Sequence, residues 1–363
     1  MNGLLRSLFY DNSTNKVIRN LENKLRLPAE WEPQSAILIA WPHKDTDWAY
    51  MLDEVTECYK RIAKAILSDE RLVIATPDPI STCDAIADCK TWNASIYSIP
   101  TNDTWARDFG PITVLRDGAP ILLDFTFNAW GMKFAADLDN LITSTLDLHG
   151  AFDRPVESHL EFVLEGGSIE SDGRGCLMTT EECMTSVNRN GHLSFDEIDA
   201  YLKRTFGVRK IIWLHHGALE GDDTDGHIDT LARFAPDGTI VYVGCDNPDD
   251  SHYEELMMME EELKAATDAD GKPFRLIKLP FADPIYDDEG LRLPATYANF
   301  LITNSQVLVP TYSQPANDAK ALELIGKAFP GREIIGIDCR ALIKQHGSLH
   351  CVTMQLPENV IEL

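Results

Sequence analysis

Gly226-His227-Ile228-Asp229 sets an imidazole and a carboxylate two residues apart. On a short extended segment that spacing turns both side chains to one side of the backbone. The pair would supply a proton shuttle and an anchor for a cationic group. Toward the other end of the chain, Cys351 lies in Gly347-Ser348-Leu349-His350-Cys351-Val352-Thr353. A small-residue turn running into a β-branched strand would present the thiol. A third segment, Asn102-Asp103-Thr104-Trp105-Ala106-Arg107-Asp108-Phe109-Gly110-Pro111, offers Asp108 as a second carboxylate beside the indole of Trp105. A planar cation can stack on an indole while a carboxylate accepts two of its N–H groups. Two acids, an aromatic wall, a histidine and a thiol are the set needed to hold a guanidinium and attack its carbon.

Each segment also has a plainer reading. An Asp before an aromatic-Gly-Pro turn commonly bonds nearby backbone N–H groups. Glu165, ahead of Gly166-Gly167, is either a solvated loop residue or a carboxylate at a place where glycine lets the backbone approach a ligand. The run from Gly221 to Asp229 holds Asp222, Asp223, Asp225 and Asp229 with His227. It lacks the spacing and terminal Glu of a calcium loop, and no Cys or His stands at zinc-ligand spacing nearby. Ile228, Leu231 and Ala232 draw this run toward the core, where gathered like charges are costly unless a cation binds. His346, His350 and Cys351 could be taken as a metal cluster, but Gly347 and Ser348 disfavour the helix that would align them.

These segments must be positioned by the elements between them. Short β-branched or aromatic-rich runs bounded by turn residues predict strands at 35–41, 72–76, 121–125, 175–179, 210–213, 240–244, 275–279, 306–310, 333–337 and 352–356. Amphipathic stretches predict helices at 55–67, 138–148, 195–206, 253–266 and 316–328. The sharpest is 195–206, with Ser194 as N-cap, Glu197 completing a capping box and Gly207 as a left-handed stop. Interleaved strands and helices give an α/β class. No internal repeat is visible, and Gly166-Gly167 and Gly217 lack the flanks of a phosphate-binding loop.

Composition narrows the partners. A net charge of −26 argues against nucleic acid and anionic membranes, and it gives a potential that draws small cations. No apolar run reaches the roughly 18–20 residues of a membrane span. The eight cysteines contain no C-x-x-C pair and no disulfide framework. With no secretory signal in the first residues, a cytoplasmic location is expected. No linker divides the 363 residues, so a peripheral segment at 1–25 and a single catalytic domain at 26–363 are expected. A homo-oligomer is compatible with the sequence.

Taken in order, several blocks resemble the agmatine deiminase family, which shares a guanidino-modifying superfamily with bacterial peptidylarginine deiminase. They are Leu27–Pro33, Ala40-Trp41-Pro42, Thr104–Pro111, Phe127–Gly131, Leu164–Ile169, Thr179–Cys183, Gly226–Asp229, Tyr297–Phe300 and Gly347–Thr353. The resemblance implies a five-bladed, pseudosymmetric α/β propeller of pentein type, with the site at its centre. It also implies roles: Cys351 as nucleophile, His227 as acid and base, Asp108 and Asp229 as guanidinium-binding carboxylates. Trp105, Glu165 and Asn299 would line or adjoin the substrate, and Asp223 would face its far end. His346 and Ser348 stand where members often carry Gly or Asn, Thr230 where Asn often stands, and Asp225 where many have Asn.

The expected chemistry is hydrolytic deimination without metal or organic cofactor. A small cationic guanidino compound is the expected substrate. Asp222, Asp223 and Asp225, with no arginine pair to hold a carboxylate, favour agmatine over free arginine. The alternatives are a peptidylarginine deiminase, a Cys–His thiol protease or amidase, and a non-catalytic polyamine binder. The two extra carboxylates oppose thiolate formation unless a cation sits between them, which disfavours the protease.

Overall fold

The computed structural model describes residues 25–362. The expected peripheral N-terminal segment therefore lies, but for its last residue, outside the described residues. Strands and helices alternate along the whole described chain, giving the mixed α/β fold expected. Among the described residues the strands form five separate sheets.

Each sheet is built on one pattern. A leading strand pairs antiparallel with a central strand, which pairs parallel with a third after a helical crossover. Ile112–Arg116, Ala119–Thr126 and Val156–Val163 form one such unit. Glu170–Ser171, Cys176–Thr180 and Lys210–Leu214 form the next. Ala232–Ala235, Thr239–Val243 and Arg275–Leu279 follow. Leu301–Ile302, Gln306–Thr311 and Glu333–Asp338 make the fourth. In the fifth, the C-terminal strand Met354–Pro357 leads the N-terminal strands Gln34–Ala40 and Arg71–Thr76. The repetition is a property of backbone pairing that no sequence repeat reveals.

The central strands read as nearly continuous apolar runs because both faces are covered. Gln34–Ala40 is buried at all but Ser35, and Arg71–Thr76 at all but its first residue. Helix Leu52–Asp69 lays Val55, Tyr59, Ile62 and Ile66 into the core at alternating spacings of three and four residues, as one helix face requires. Helix Phe195–Phe206 carries the reciprocal capping box of Ser194 and Glu197, and it ends on Gly207 at φ 63°.

The predicted helix at 138–148 is instead a 3-10 turn, Asp139–Leu141, followed by the helix Ile142–Leu148. The strand expected to open at Val352 begins at Met354, so Cys351 sits in the turn itself. Ala94–Ser98, Ile112–Arg116, Val156–Val163 and Ala232–Ala235 are strands that hydrophobic patterning did not predict. Val156–Val163 shows why: it reads Val-Glu-Ser-His-Leu-Glu-Phe-Val, and Phe162 is its one fully buried residue. Such a half-solvated strand at the edge of its sheet needs no apolar run.

Candidate active site

The segments with candidate chemistry all fall just ahead of a leading strand. Asp108 precedes Ile112–Arg116, Gly166–Ser168 precedes Glu170–Ser171, and Asp229 precedes Ala232–Ala235. Asn299 precedes Leu301–Ile302, and Cys351 precedes Met354–Pro357. One position, repeated in five units, thus delivers all of these groups.

Asp108 sits in the short helix Ala106–Phe109 and is buried. Its Oδ2 accepts from Trp130 Nε1 at 2.9 Å and its Oδ1 from the Gly167 amide at 3.0 Å. Burial pushes its carboxyl up to about 6, against the pull of His227, whose Nδ1 lies 3.7 Å from Oδ1. At Gly167 a Cβ would stand 2.7 Å from His227 Nδ1, 2.9 Å from Asp108 Oδ1 and 3.0 Å from Asp229 Oδ2. Only glycine lets the backbone enter where these three groups converge.

His227 and Asp229 lie on a 3-10 turn, Ile228–Thr230, and not on the extended segment expected. Their convergence comes from the turn and from the burial of Ile228 and Leu231 beneath it. Burial works against charge on His227, yet Asp108, Cys183 and Glu165 outweigh it and push the imidazole up to about 10. Burial also opposes charge on Asp229. The hydrogen bond from His350, with His227 and Arg233 nearby, nevertheless holds it below the usual carboxylate range. His350 Nδ1 reaches Asp229 Oδ2 at 2.7 Å, while its Nε2 lies 3.0 Å from Arg233 Nη2 and 2.9 Å from a Glu30 oxygen. Asp229 Oδ1 and His227 Nε2 are buried without a hydrogen-bond partner. Orphaned buried polar atoms are uncommon and costly, and a ligand that pairs them removes the cost.

Cys351 Sγ lies 3.8 Å from Asp229 Oδ2 and 3.4 Å from Asn299 Oδ1. Burial pushes the thiol well above its ordinary value, and Asp229 and Asp108 push it the same way. Without a cation between them, these groups keep sulfur protonated.

The thiol opens onto a cavity of about 150 Å³ lined by Trp105, Trp130 and Phe134, and by Asp47, Asp103, Asp108, Asp222 and Asp223. Trp105 gives its Nε1 hydrogen to Asp103 Oδ2 at 3.1 Å and packs on Trp48 with ring centres 5.7 Å apart. Burial and the neighbouring Asp47 push Asp103 up to about 7. Trp130 belongs to a strained run, Ala129 to Met132, whose φ angles of 51°, 55°, 87° and 67° are all left-handed. Each non-glycine residue there costs about 1–2 kcal/mol. Bonds from the Gly131 amide to Asn128 Oδ1 and from Lys133 Nζ to Asp225 and the Asp223 carbonyl hold the run in place.

The remaining candidates divide between those that line the cavity and those that are turned away from it. Glu165 turns both carboxylate oxygens to Arg189 Nε at 2.9 and 3.0 Å and does not line the cavity. Asp225 is also turned away, toward Arg189 and Lys133. Asn299 is wholly buried and accepts the His350 amide at 2.8 Å, so it shapes the cysteine turn from beneath. Asp222 lines the cavity but accepts the Gly226 and Thr224 amides, which folds its loop. Asp223 lines the cavity with its carboxylate part-exposed. Among the described residues, Glu165, Cys183 and His227 form a group with metal-type donor atoms within 4.8 Å of one another. Arg189 already occupies that carboxylate.

Asp103, Trp130 and Arg189 were not singled out from sequence, and His350 was weighed only as part of a metal cluster. Trp130 lay within a block that carried the family resemblance. Arg189 had no local signal, since its partners Glu165 and Asp225 are distant in the chain.

Residues 26–357 match the model of the Porphyromonas-type peptidyl-arginine deiminase family, and the chain belongs to that family. Among individual relatives, an agmatine deiminase of Medicago truncatula is 34% identical over 364 residues, covering 91% of this chain and 96% of its own. A solved agmatine deiminase of C. jejuni, a cysteine-to-serine variant with substrate bound, is 39% identical, covers 93% of this chain and 97% of its own, and superposes with a TM-score of 0.87. A candidate arginine deiminase of Porphyromonas gingivalis is 53% identical, covers 93% of this chain and 100% of its own, and superposes with a TM-score of 0.90.

Proposed function

We propose that this protein hydrolyses the terminal guanidinium of agmatine to N-carbamoylputrescine and ammonia. The observation that carries the reading is the convergence of Asp108, Asp229, His227 and Cys351 at one end of an acid-lined cavity. The agmatine deiminases among its relatives support the choice of substrate.

Asp108 and Asp229 clamp the guanidinium with charge-assisted bonds, one of them to the unpartnered Oδ1 of Asp229. The bound cation offsets the burial and the two carboxylates that keep Cys351 protonated, so with substrate in place the thiol releases its proton to solvent and the thiolate forms. Sulfur attacks the guanidinium carbon, the C–N bond to the departing nitrogen breaks, and His227 gives that nitrogen its proton. Neutral His227 then takes a proton from water. The water adds to the thiouronium carbon, and the C–S bond breaks to return the thiol. The sum is guanidinium plus water giving a ureido group and ammonium. Trp105 walls the planar cation, and Asp223 faces the distal ammonium.

The five repeated units, each opening after one site segment, support a five-bladed pseudosymmetric propeller in a single catalytic domain from residue 26. No helix among the described residues is long and apolar enough to cross a membrane. A cytoplasmic location and assembly into a homo-oligomer complete the reading.

Five carboxylates and no Lys or Arg line the cavity, which favours an ammonium tail over the carboxylate of free arginine. Screened opposite charges support a preference of roughly 10²-fold that shrinks in salt. The test is ureido and ammonia release from agmatine, free arginine and an N-acyl-arginine amide at low and high ionic strength. Equal kcat/KM on agmatine and the N-acyl amide would replace this reading with a protein-arginine deiminase.

A further inference from the structure

The cavity has a second polar feature that the roles above do not use. His346 ends the 3-10 turn Leu342–Gln345 in a left-handed conformation, φ 66° and ψ 0°. Glycine and asparagine adopt this conformation readily, whereas an imidazole residue is strained in it. The ring is fixed nonetheless. Its Nδ1 lies 2.7 Å from the Gly221 carbonyl oxygen. A carbonyl only accepts, so Nδ1 carries the hydrogen, and in the neutral ring Nε2 presents a lone pair. That lone pair lies 3.9 Å from Asp223 Oδ2, beyond hydrogen-bond distance. With the ring neutral, two acceptors face each other across a gap on the cavity wall, with Asp222 and Gln345 beside them. The nearby cation, Lys133, is taken up by Asp225 and the Asp223 carbonyl.

We propose that His346 is a specificity-determining residue whose Nε2, together with the Asp223 carboxylate, accepts hydrogens from the ammonium at the far end of the substrate. The inference rests on the agmatine reading and adds a neutral acceptor to the acids already described. Two N–H bonds of one tetrahedral ammonium, each reaching about 2.9 Å, end on acceptors roughly 4.7 Å apart. The pair fits after a small opening. A donor is what this gap selects: a carboxylate tail meets only acceptors, and an alkyl tail leaves both unpaired. Gly221, which anchors the ring, and Asp223 belong to the same acidic loop, so ring and carboxylate are set by one segment.

The test compares His346→Gly, His346→Asn and Asp223→Asn with the wild type on agmatine and on n-butylguanidine, which has the same chain length and no ammonium. Glycine suits the left-handed position, so His346→Gly should keep the turn, and its melting temperature reports whether it does. The expected result for His346→Gly is a fall of about tenfold in kcat/KM on agmatine, mostly in KM, with n-butylguanidine unchanged. His346→Asn should recover part of the loss, because its amide oxygen is again an acceptor. In the His346→Gly/Asp223→Asn double variant the loss should be smaller than the product of the single losses, since both act on one ammonium. An equal fall on both substrates, or none on agmatine, would overturn the proposal. If the wild type prefers agmatine and His346→Gly keeps that preference, the His346 role fails while the agmatine reading stands. A wild type that does not turn over agmatine overturns both.

Discussion

Replacing Asp108 with Asn tests the centre of the mechanism, because it removes a charge while keeping the side-chain shape. Both Asp108 oxygens accept N–H groups, one from Trp130 and one from Gly167. An amide offers one oxygen and one NH2, so one of those donors must face another donor. A buried unsatisfied donor costs about 1–3 kcal/mol, and a lost hydrogen bond to a charged group about 1.5–3 kcal/mol. Only the lost bond separates the transition state from the free enzyme, about 1.5–3 kcal/mol or a loss of roughly 10–10²-fold in kcat/KM, while the unsatisfied donor is present in the free enzyme too and lowers stability. The pH profile carries a second signature. Asp108 titrates at about 6 and must be ionised, so wild-type kcat/KM falls as pH drops through 6. His227, raised to about 10, must be cationic, so activity falls as pH rises through 10. Asp108 is the largest influence raising His227, opposing burial. In Asp108→Asn the acid limb should disappear and the alkaline limb should move to lower pH. Both enzymes are assayed on the same substrate, so the substrate's own titration cancels. A variant within tenfold of wild type, with its alkaline limb unmoved, would refute the assigned clamp and the origin of the His227 shift.

Three further outcomes follow from the same geometry. Cys351→Ala should fold and lose nearly all turnover, and substrate trapped on the wild type should be found on Cys351 and on no other cysteine. Because burial, with Asp229 and Asp108, holds that thiol protonated, cationic 2-chloroacetamidine, which offsets the two carboxylates, should alkylate it at least tenfold faster than neutral 2-chloroacetamide at pH 7. Equal rates would show a thiolate formed without a bound cation. In Gly347→Ala the new methyl would stand 2.1 Å from the Trp105 ring, so the indole must move. KM should rise by about tenfold or more with thermal stability largely kept, and an unchanged KM would remove Trp105 from the substrate wall.

Much of the site was legible in the sequence because its parts are local. His227 and Asp229 share one turn, Asp108 and Trp105 share another, and Ser194 with Glu197 caps a helix whose signals are all within a few residues. Composition announced an affinity for cations, and ordered blocks announced the family. Long-range pairing decided the rest. Glu165 and Asp225 looked like substrate acids until the fold brought Arg189 between them. His350 read as a metal-cluster candidate beside the nucleophile until burial placed it between Asp229 and Glu30, a residue more than three hundred positions away. The left-handed run at Ala129 to Met132 has no local cause apart from Gly131 and the Asn128 side chain that accepts its amide. It is maintained by contacts to Asn188 and to the acidic loop. The repeat of five sheets is likewise invisible in the residues, because a leading strand needs only backbone hydrogen bonds and tolerates almost any side chains. Sequence set which chemistry was available, since residue type fixes charge and nucleophilicity. Tertiary structure set which groups are free to use it, since a buried charge belongs to whichever partner the chain brings within 3 Å.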